Sequence, residues 1–404
     1  MANNELRIPL IRTPGSSSFM KASFNGTNAF LGIGFLTIPY ALSSGGWLSL
    51  VLFFSIAAMT FYTGLLLVRC MEVDPSILSY YDIAERAFGM KGRMIVMFMM
   101  NAEMYLIATG FLILEGDNLQ KLFPEFMIKL GELTLDGKQS FVIITGLLFS
   151  ALMLLTDLSM LSYISATGVF SCLVIVVSIF CVGAFDGVGF HAKGSVLLNL
   201  DTLPTAVGLY IVSFGGHPVI PSIYMSMRDS CQFSKVLVFS FILATLNYMT
   251  IAILGYLMYG DGIESEITLN LPTKVSGRVA IYTTLLIPVT RYSLLVAPIA
   301  TAIEGGLSEK YKNQKPVRLL IRVALLISTV IVACVFPYYE SLMAIVGSVF
   351  VVSASFLLPC LCYLKISDLN WNWNCEQMGI VGIIVFGILA GVLGTYSSIF
   401  ELLT

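Results

Sequence analysis

The sequence predicts an all-α integral membrane protein of eleven spanning helices. The first and sixth are interrupted, and two five-helix repeats run in opposite orientations. Three observations predict it. Of 404 residues, 57% are hydrophobic and only 11% charged, less than half the charged share of an average soluble chain, about 25%. Apolar stretches of spanning length recur from one end of the chain to the other. Two of them, residues 25–40 and 213–224, carry glycines and prolines where a continuous helix would have neither.

A span needs about 20 predominantly apolar residues. On that template the spans are 19–43, 47–70, 93–120, 138–157, 160–182, 203–227, 233–259, 278–306, 317–336, 339–364 and 377–400. Residues 1–18 are polar and lack an apolar core of signal-peptide length, so they read as a short, uncleaved cytoplasmic segment. The longest connection, 76–91, carries Tyr80-Tyr-Asp-Ile-Ala-Glu-Arg-Ala-Phe88, an amphipathic pattern suited to a helix lying along the surface. Lysine and arginine placement orients the chain. With the N-terminus cytoplasmic, fifteen cations lie inside, including the run at 309–318, and six lie outside. An odd number of spans then puts the C-terminus on the luminal side. No connection has the length of a soluble domain, so 19–400 forms one unit.

The interruptions are matched. Gly34 precedes Ile38-Pro39 at the spacing with which Gly216 precedes Ile220-Pro221. In lipid an unpaired backbone group costs several kcal/mol, so a broken span persists only where protein surrounds it. Two such spans in corresponding places are the sequence-level mark of a secondary transporter's binding site. They lie five spans apart, and five is odd. Residues 19–182 and 203–364 are therefore repeats of opposite orientation, with 377–400 appended, the plan of the bacterial leucine transporter.

Other classes find little support. No basic stretch interleaved with aromatics suggests nucleic-acid binding. No His-rich cluster, Gly-x-Ser-x-Gly elbow or phosphate-cradling loop suggests an enzyme, a metal or a cofactor. A channel would need a carbonyl filter or an acidic ring, and neither is evident. The eight cysteines fall in spans or short connections and read as small packing residues. Asn25-Gly-Thr27 matches a glycosylation acceptor but lies inside a span.

The motifs Asn25-Gly-Thr-Asn, Gly32-x-Gly34, Ile38-Pro-Tyr-Ala41 and Gly45-Gly-Trp47 resemble the first span of the amino acid/auxin permease family. Glu115-Gly-Asp-Asn-Leu119, Gly216-His-Pro-Val-Ile-Pro-Ser-Ile-Tyr224 and Pro288-Val-Thr-Arg-Tyr292 extend the likeness along nearly the whole chain. They are similar to the branch of plant and fungal vacuolar amino-acid transporters and, more distantly, the vesicular inhibitory amino-acid transporter. The resemblance implies an amino-acid substrate, a proton as coupling ion and a vacuolar or other endomembrane. An amino-acid sensor with little transport remains an alternative, and the oligomeric state is not legible.

A zwitterionic amino acid needs donors for its carboxylate and acceptors for its ammonium. The half-helix starting near Gly34, with Gly32, offers free N–H groups and a positive dipole end. Unwound carbonyls around Asn28, Ala29, Ser213 and Phe214, next to Gly215 and Gly216, offer acceptors. The same glycines also suit plain close packing of helices. Tyr105, in the third span, is placed to touch substrate or simply to pack. Glu103 lies mid-way in that span, where a carboxylate is costly and functional by default. Tyr210 precedes the sixth-span break, where an aromatic lid would lie. His217 sits in that break, and its ordinary pKa of about 6.5 lies between an acidic lumen and a neutral cytosol. It is a candidate for proton coupling, or a neutral ring satisfying broken backbone. Arg291, mid-span, costs roughly 2.5–3.5 kcal/mol on insertion scales and needs partners. First-span carbonyls around residues 27–30 and the Glu103 carboxylate are both open to it. In the first case a fixed guanidinium would stand where the fold's sodium-driven members bind an ion, making sodium unnecessary. Glu115 and Asp117 lie near a span end, within reach of water or helix caps. Lys21, Arg228 and Glu304 are placed to gate the cytoplasmic side.

Overall fold

The structure is a computed structural model that describes residues 15–130, 133–155, 161–191, 194–308, 314–367 and 374–403. Residues 1–14 and 309–313, the first half of the basic run at 309–318, both used to orient the chain, lie outside the described residues. Helix α1 (Phe19–Phe30) starts at Ser18, whose hydroxyl accepts from the Lys21 N–H. A turn of 3-10 helix, Ile33–Leu36, follows, and then α2 (Ile38–Gly45), with Pro39 in its first turn. Gly46, at φ 75°, ends α2 in a conformation that only glycine adopts freely.

Helix α3 (Ser49–Val73) precedes α4 (Tyr80–Leu122), which bends sharply at Gly89 (φ 70°). Before the bend, Ser79 and Asp82 form a capping box. The expected surface helix is this first part of α4. Its apolar residues Tyr80, Ile83, Ala84 and Ala87 are buried in the protein's own core. A hairpin of β1 (Ile128–Leu130) and β2 (Leu133–Leu135), pairing Ile128 with Leu135, is a small departure from the all-α expectation. Helices α5 (Gly137–Leu155) and α6 (Leu161–Phe185) complete the first half.

The second half opens with α7 (Leu203–Ser213), a 3-10 turn His217–Val219, and α8 (Ile220–Ser226). Then come α9 (Phe233–Tyr259), the short α10 (Ile267–Asn270), α11 (Val275–Gly305) and α12 (Lys315–Val335). Helix α13 (Tyr339–Ile345) passes through two π-helical stretches, Val346–Val351 and Ser353–Leu357, into α14 (Leu358–Ile366). Helix α15 (Cys375–Leu403) is last. Among the described residues, nine helical stretches are long and apolar enough to cross a membrane. The two further expected spans correspond to the interrupted pair α1–α2 and to α5. All eight cysteines are free.

Both interruptions sit at the centre of the packing. Helix α9 packs against α1 and α2, so it touches both halves of the first interrupted span, while α7 packs against α2. Large apolar side chains such as Leu320, Ile327, Val335, Val392 and Tyr396 point outward from α12 and α15, as lipid-facing helices require.

The matched glycines bring the two breaks into contact. A Cβ on Gly34 would lie 2.9 Å from the Ser213 Cα and 2.3 Å from its Oγ. A Cβ on Gly216 would lie 2.5 Å from the Phe30 ring. Each break therefore presses on the missing side chain of the other. Gly34→Ala is expected to cost about 1–3 kcal/mol by overpacking against backbone, read as a lower unfolding temperature in detergent. Gly32→Ala, whose Cβ would meet nothing within 4 Å, is expected to unfold at the wild-type temperature.

Candidate functional site

Helix α1 stops at Phe30, and its capping bond runs from the Leu31 N–H to the Thr27 carbonyl (2.7 Å). The Phe30 and Leu31 carbonyls and the Gly32 N–H thereby leave the helical ladder, and protein must satisfy them at bilayer depth. Two side chains do so. The Tyr248 hydroxyl, fully buried on α9, accepts from the Gly32 N–H at 3.0 Å. It also lies within donating distance of the Phe30 carbonyl (2.6 Å) and, across the gap, of the Ser213 carbonyl that ends α7 (2.7 Å). One phenol thus joins both breaks.

Arg291 is the second. Its guanidinium, half-buried on α11, donates to the Leu31 carbonyl at 3.0 Å and to both the backbone carbonyl (3.5 Å) and the side-chain oxygen of Asn28. Of the two arrangements open from sequence, this is the one on first-span carbonyls. Among the described residues no ion pair joins Arg291 to Glu103. Helix α11 itself packs chiefly on α6 and α4, so the long arginine side chain makes the reach. Gly168 on α6 leaves room for it: a Cβ there would lie 2.8 Å from the guanidinium and 2.0 Å from the Asn28 oxygen.

The second break is tighter. The N–H groups of Phe214, Gly215 and Gly216 bond to the carbonyls of Ile211, Val212 and Phe214, so the two glycine N–H groups are already used within the break. His217 turns away from the gap toward α3 and is fully buried. Its Nε2 lies 3.0 Å from the Thr63 hydroxyl, and its Nδ1 has no hydrogen-bond partner. The Thr63 hydroxyl also reaches the Met59 and Thr60 carbonyls of its own helix, at 3.1 Å each. The imidazole therefore satisfies a threonine rather than broken backbone. Aromatic rings close the space around both breaks. Phe30 and Phe241 meet at 4.3 Å, Phe214 stands edge-on to Tyr248 at 5.4 Å, and Phe53 contacts Phe214 at 5.4 Å. A small cavity lined by Gly32, Phe35, Phe111, Leu114, Thr284 and Ile287 adjoins the first break.

The model of a family described as transmembrane amino acid transporter protein matches residues 15–400. The chain belongs to that family. It is 46% identical to the amino acid transporter AVT1I of Arabidopsis thaliana over 390 residues, covering 96% of each chain. Its identity to AVT1J of the same plant is also 46%, over 386 residues, covering 95% of this chain and 91% of that one. A vesicular GABA transporter of Caenorhabditis elegans is 26% identical over 403 residues, covering 96% and 80%. The fold is shared with MhsT in complex with L-phenylalanine: TM-score 0.58 at 12% identity, covering 96% of this chain and 100% of that one. It is also shared with a Na+-coupled sialic acid symporter: TM-score 0.54 at 14% identity, covering 96% and 88%.

Not every residue singled out from this family member's sequence reaches the breaks. Ala29 lies within α1, one residue before its end, because the helix runs further than expected. Asn28 serves Arg291. Tyr210 is buried and shares a hydrogen bond with Ser49 (2.8 Å) while standing edge-on to Phe53, so it ties α7 to α3. Glu103 is buried on α4. Tyr105, on the same helix, is half-buried, and neither is hydrogen-bonded to a break residue. Tyr248 and Gly168 were missed. Their only signal was a polar pair, Asn247-Tyr248, in mid-span, and a glycine with no local motif.

The two ends of the bundle are closed differently. At the end holding the start of α1, Ser17 pairs with Met227 in a parallel bridge: Ser17 N–H donates to Ser226 O (2.9 Å), and Arg228 N–H to Ser17 O (3.0 Å). Glu304 pairs with Arg318 (3.2 Å) rather than with Lys21 or Arg228. At the other end the segment around α10 is pinned to α4. Asn118 donates to the Glu266 carboxyl (2.6 Å), and Lys121 donates to the Leu269 carbonyl. Asp117 pairs with Lys138 (2.6 Å), whereas Glu115 is buried with one oxygen unpartnered, contrary to the expectation that water or caps reach it. The span end is roofed by α10 and the neighbouring loops.

Burial, with Asp117 nearby, pushes the Glu266 carboxyl well above the ordinary carboxylate range. A raised folded-state value means that the stabilisation is full below the unfolded pKa and is lost as pH rises through the folded one. Thermal stability of the purified protein is therefore expected to fall as pH rises above the ordinary carboxylate range, and Glu266→Gln to flatten that fall. Arg291→Lys keeps the charge but loses the planar fork that serves several acceptors. It is expected to lower stability and to weaken ligand binding about ten-fold or more, since an unserved buried acceptor costs about 1–3 kcal/mol.

Proposed function

We propose that this protein is a secondary active amino-acid transporter that works by alternating access, driven by protons and independent of sodium, in a vacuolar or similar endomembrane. It reads as eleven spans in two inverted repeats, 19–182 and 203–364, plus 377–400, with a cytoplasmic N-terminus and a luminal C-terminus. The observation that carries the reading is the meeting of two interrupted spans around Tyr248, with the Arg291 guanidinium on the first break. Family membership and relatives named as amino acid transporters support the substrate class.

The chemistry of the site suits a substrate read by its shared backbone-like part. A carboxylate takes N–H groups at the start of the half-helix after Gly32, where the dipole is positive. An ammonium takes the Phe30 and Ser213 carbonyls, and the side chain faces the apolar residues beside Gly32, whose water-sized cavity must widen to take it. Arg291 supplies a fixed positive charge to the first-span carbonyls, which leaves no need for a bound sodium ion there. The proton is assigned to Glu103 or His217, buried titratable groups on α4 and at the second break.

Radiolabelled amino-acid flux in proteoliposomes tests this, with pH and sodium gradients imposed separately. A pH gradient is expected to drive saturable uptake and counterflow, and a sodium gradient to add nothing. A sodium requirement, or unitary currents in place of saturable flux, overturns the reading. His217→Gln transport that keeps its whole pH dependence would remove His217 and leave Glu103 as the coupling group.

A further inference from the structure

We propose that the Tyr248 hydroxyl is a built-in occupant of the substrate's polar subsites, and that an amino acid enters the site by displacing it. The proposal rests on the transporter reading above and deepens it by naming the residue with which the substrate exchanges. Three backbone groups converge on the phenol oxygen: the Gly32 N–H at 3.0 Å, the Phe30 carbonyl at 2.6 Å and the Ser213 carbonyl at 2.7 Å. They come from both breaks, and they are the donor and acceptors that an amino acid's carboxylate and ammonium need.

The match is imperfect in an informative way. A phenol has one proton, so two carbonyls compete for it and one is always under-served. An ammonium brings three donors and serves both, while a carboxylate oxygen serves the Gly32 N–H. Exchanging phenol for zwitterion therefore improves the hydrogen bonding of both breaks at once. The reverse exchange covers the breaks when the carrier returns unloaded, and at bilayer depth bare backbone groups are costly. A Cβ on Gly32 would meet nothing within 4 Å, and a cavity about one water in size, lined by Phe35, Phe111 and Thr284, lies beside it, so the exchange widens this space as the phenol withdraws.

A plain structural strut would look the same in a static view but behave differently. The test is equilibrium binding and counterflow of the radiolabelled proteinogenic L-amino acids on the full chain in proteoliposomes, using two variants. Tyr248→Phe removes the competitor, so binding of an accepted amino acid is expected to tighten about three- to ten-fold, the worth of one to two modest hydrogen bonds. Its turnover is expected to slow. p-Aminophenylalanine placed at position 248 keeps the ring and offers two donors, so it covers both carbonyls. Binding is then expected to weaken, and this variant stays informative if the phenylalanine variant does not fold. Unchanged affinity in the variants, or the opposite order, overturns the exchange while leaving the transporter reading intact. A wild-type protein that binds no amino acid overturns the transporter reading itself, and the exchange with it.

Discussion

The rest of this structure depends on one constraint: backbone released from a helix at bilayer depth has no water to turn to. Here the released groups of the first interrupted span are met by side chains from other helices, the phenol of Tyr248 on α9 and the guanidinium of Arg291 on α11. Neither helix can move relative to the break without uncovering a carbonyl. The interruption is thus a joint whose two sides are held by separate elements, and a bound solute could take over one set of bonds without disturbing the other.

Packing reinforces that joint. Gly34 and Gly216 are small because residues of the opposite break, Ser213 and Phe30, lie where their side chains would be. The surrounding rings of Phe53, Phe214, Phe241 and Tyr248 exclude water from the joint, which strengthens each hydrogen bond inside it. Of the π-helical stretches that follow α13, Val346–Val351 lies against α7, and Ser353–Leu357 lies against α3 and the His217–Val219 turn. They put irregular backbone beside the second break, where a regular helix would have fewer ways to adjust.

The ends of the bundle obey different chemistry. One is closed by backbone hydrogen bonds between Ser17 and the Ser226–Arg228 stretch, which do not titrate, beside the ion pair of Glu304 with the half-exposed Arg318. The other is closed by the Glu266 carboxyl on Asn118 and by Lys121 on a carbonyl, which do. A change of pH therefore acts on the two closures unequally, by virtue of which groups make them.

Much of this was legible in the chain itself. Apolar length and the shortage of charge dictate spanning helices, and paired Gly and Ile-Pro signals mark where two of them stop, because both are local backbone effects. Arg291 announced that it needs acceptors, since a cation at that depth cannot go unpaired. What only the tertiary structure decided is which groups meet. That Arg291 takes Asn28 and Leu31 rather than Glu103, that His217 faces Thr63, and that Tyr248 bridges two breaks depend on how helices far apart in sequence rotate against one another. A tyrosine in an apolar span looks the same whether it packs or bonds. Its role is set by the three backbone groups that converge on its oxygen, and no stretch of sequence contains all of them.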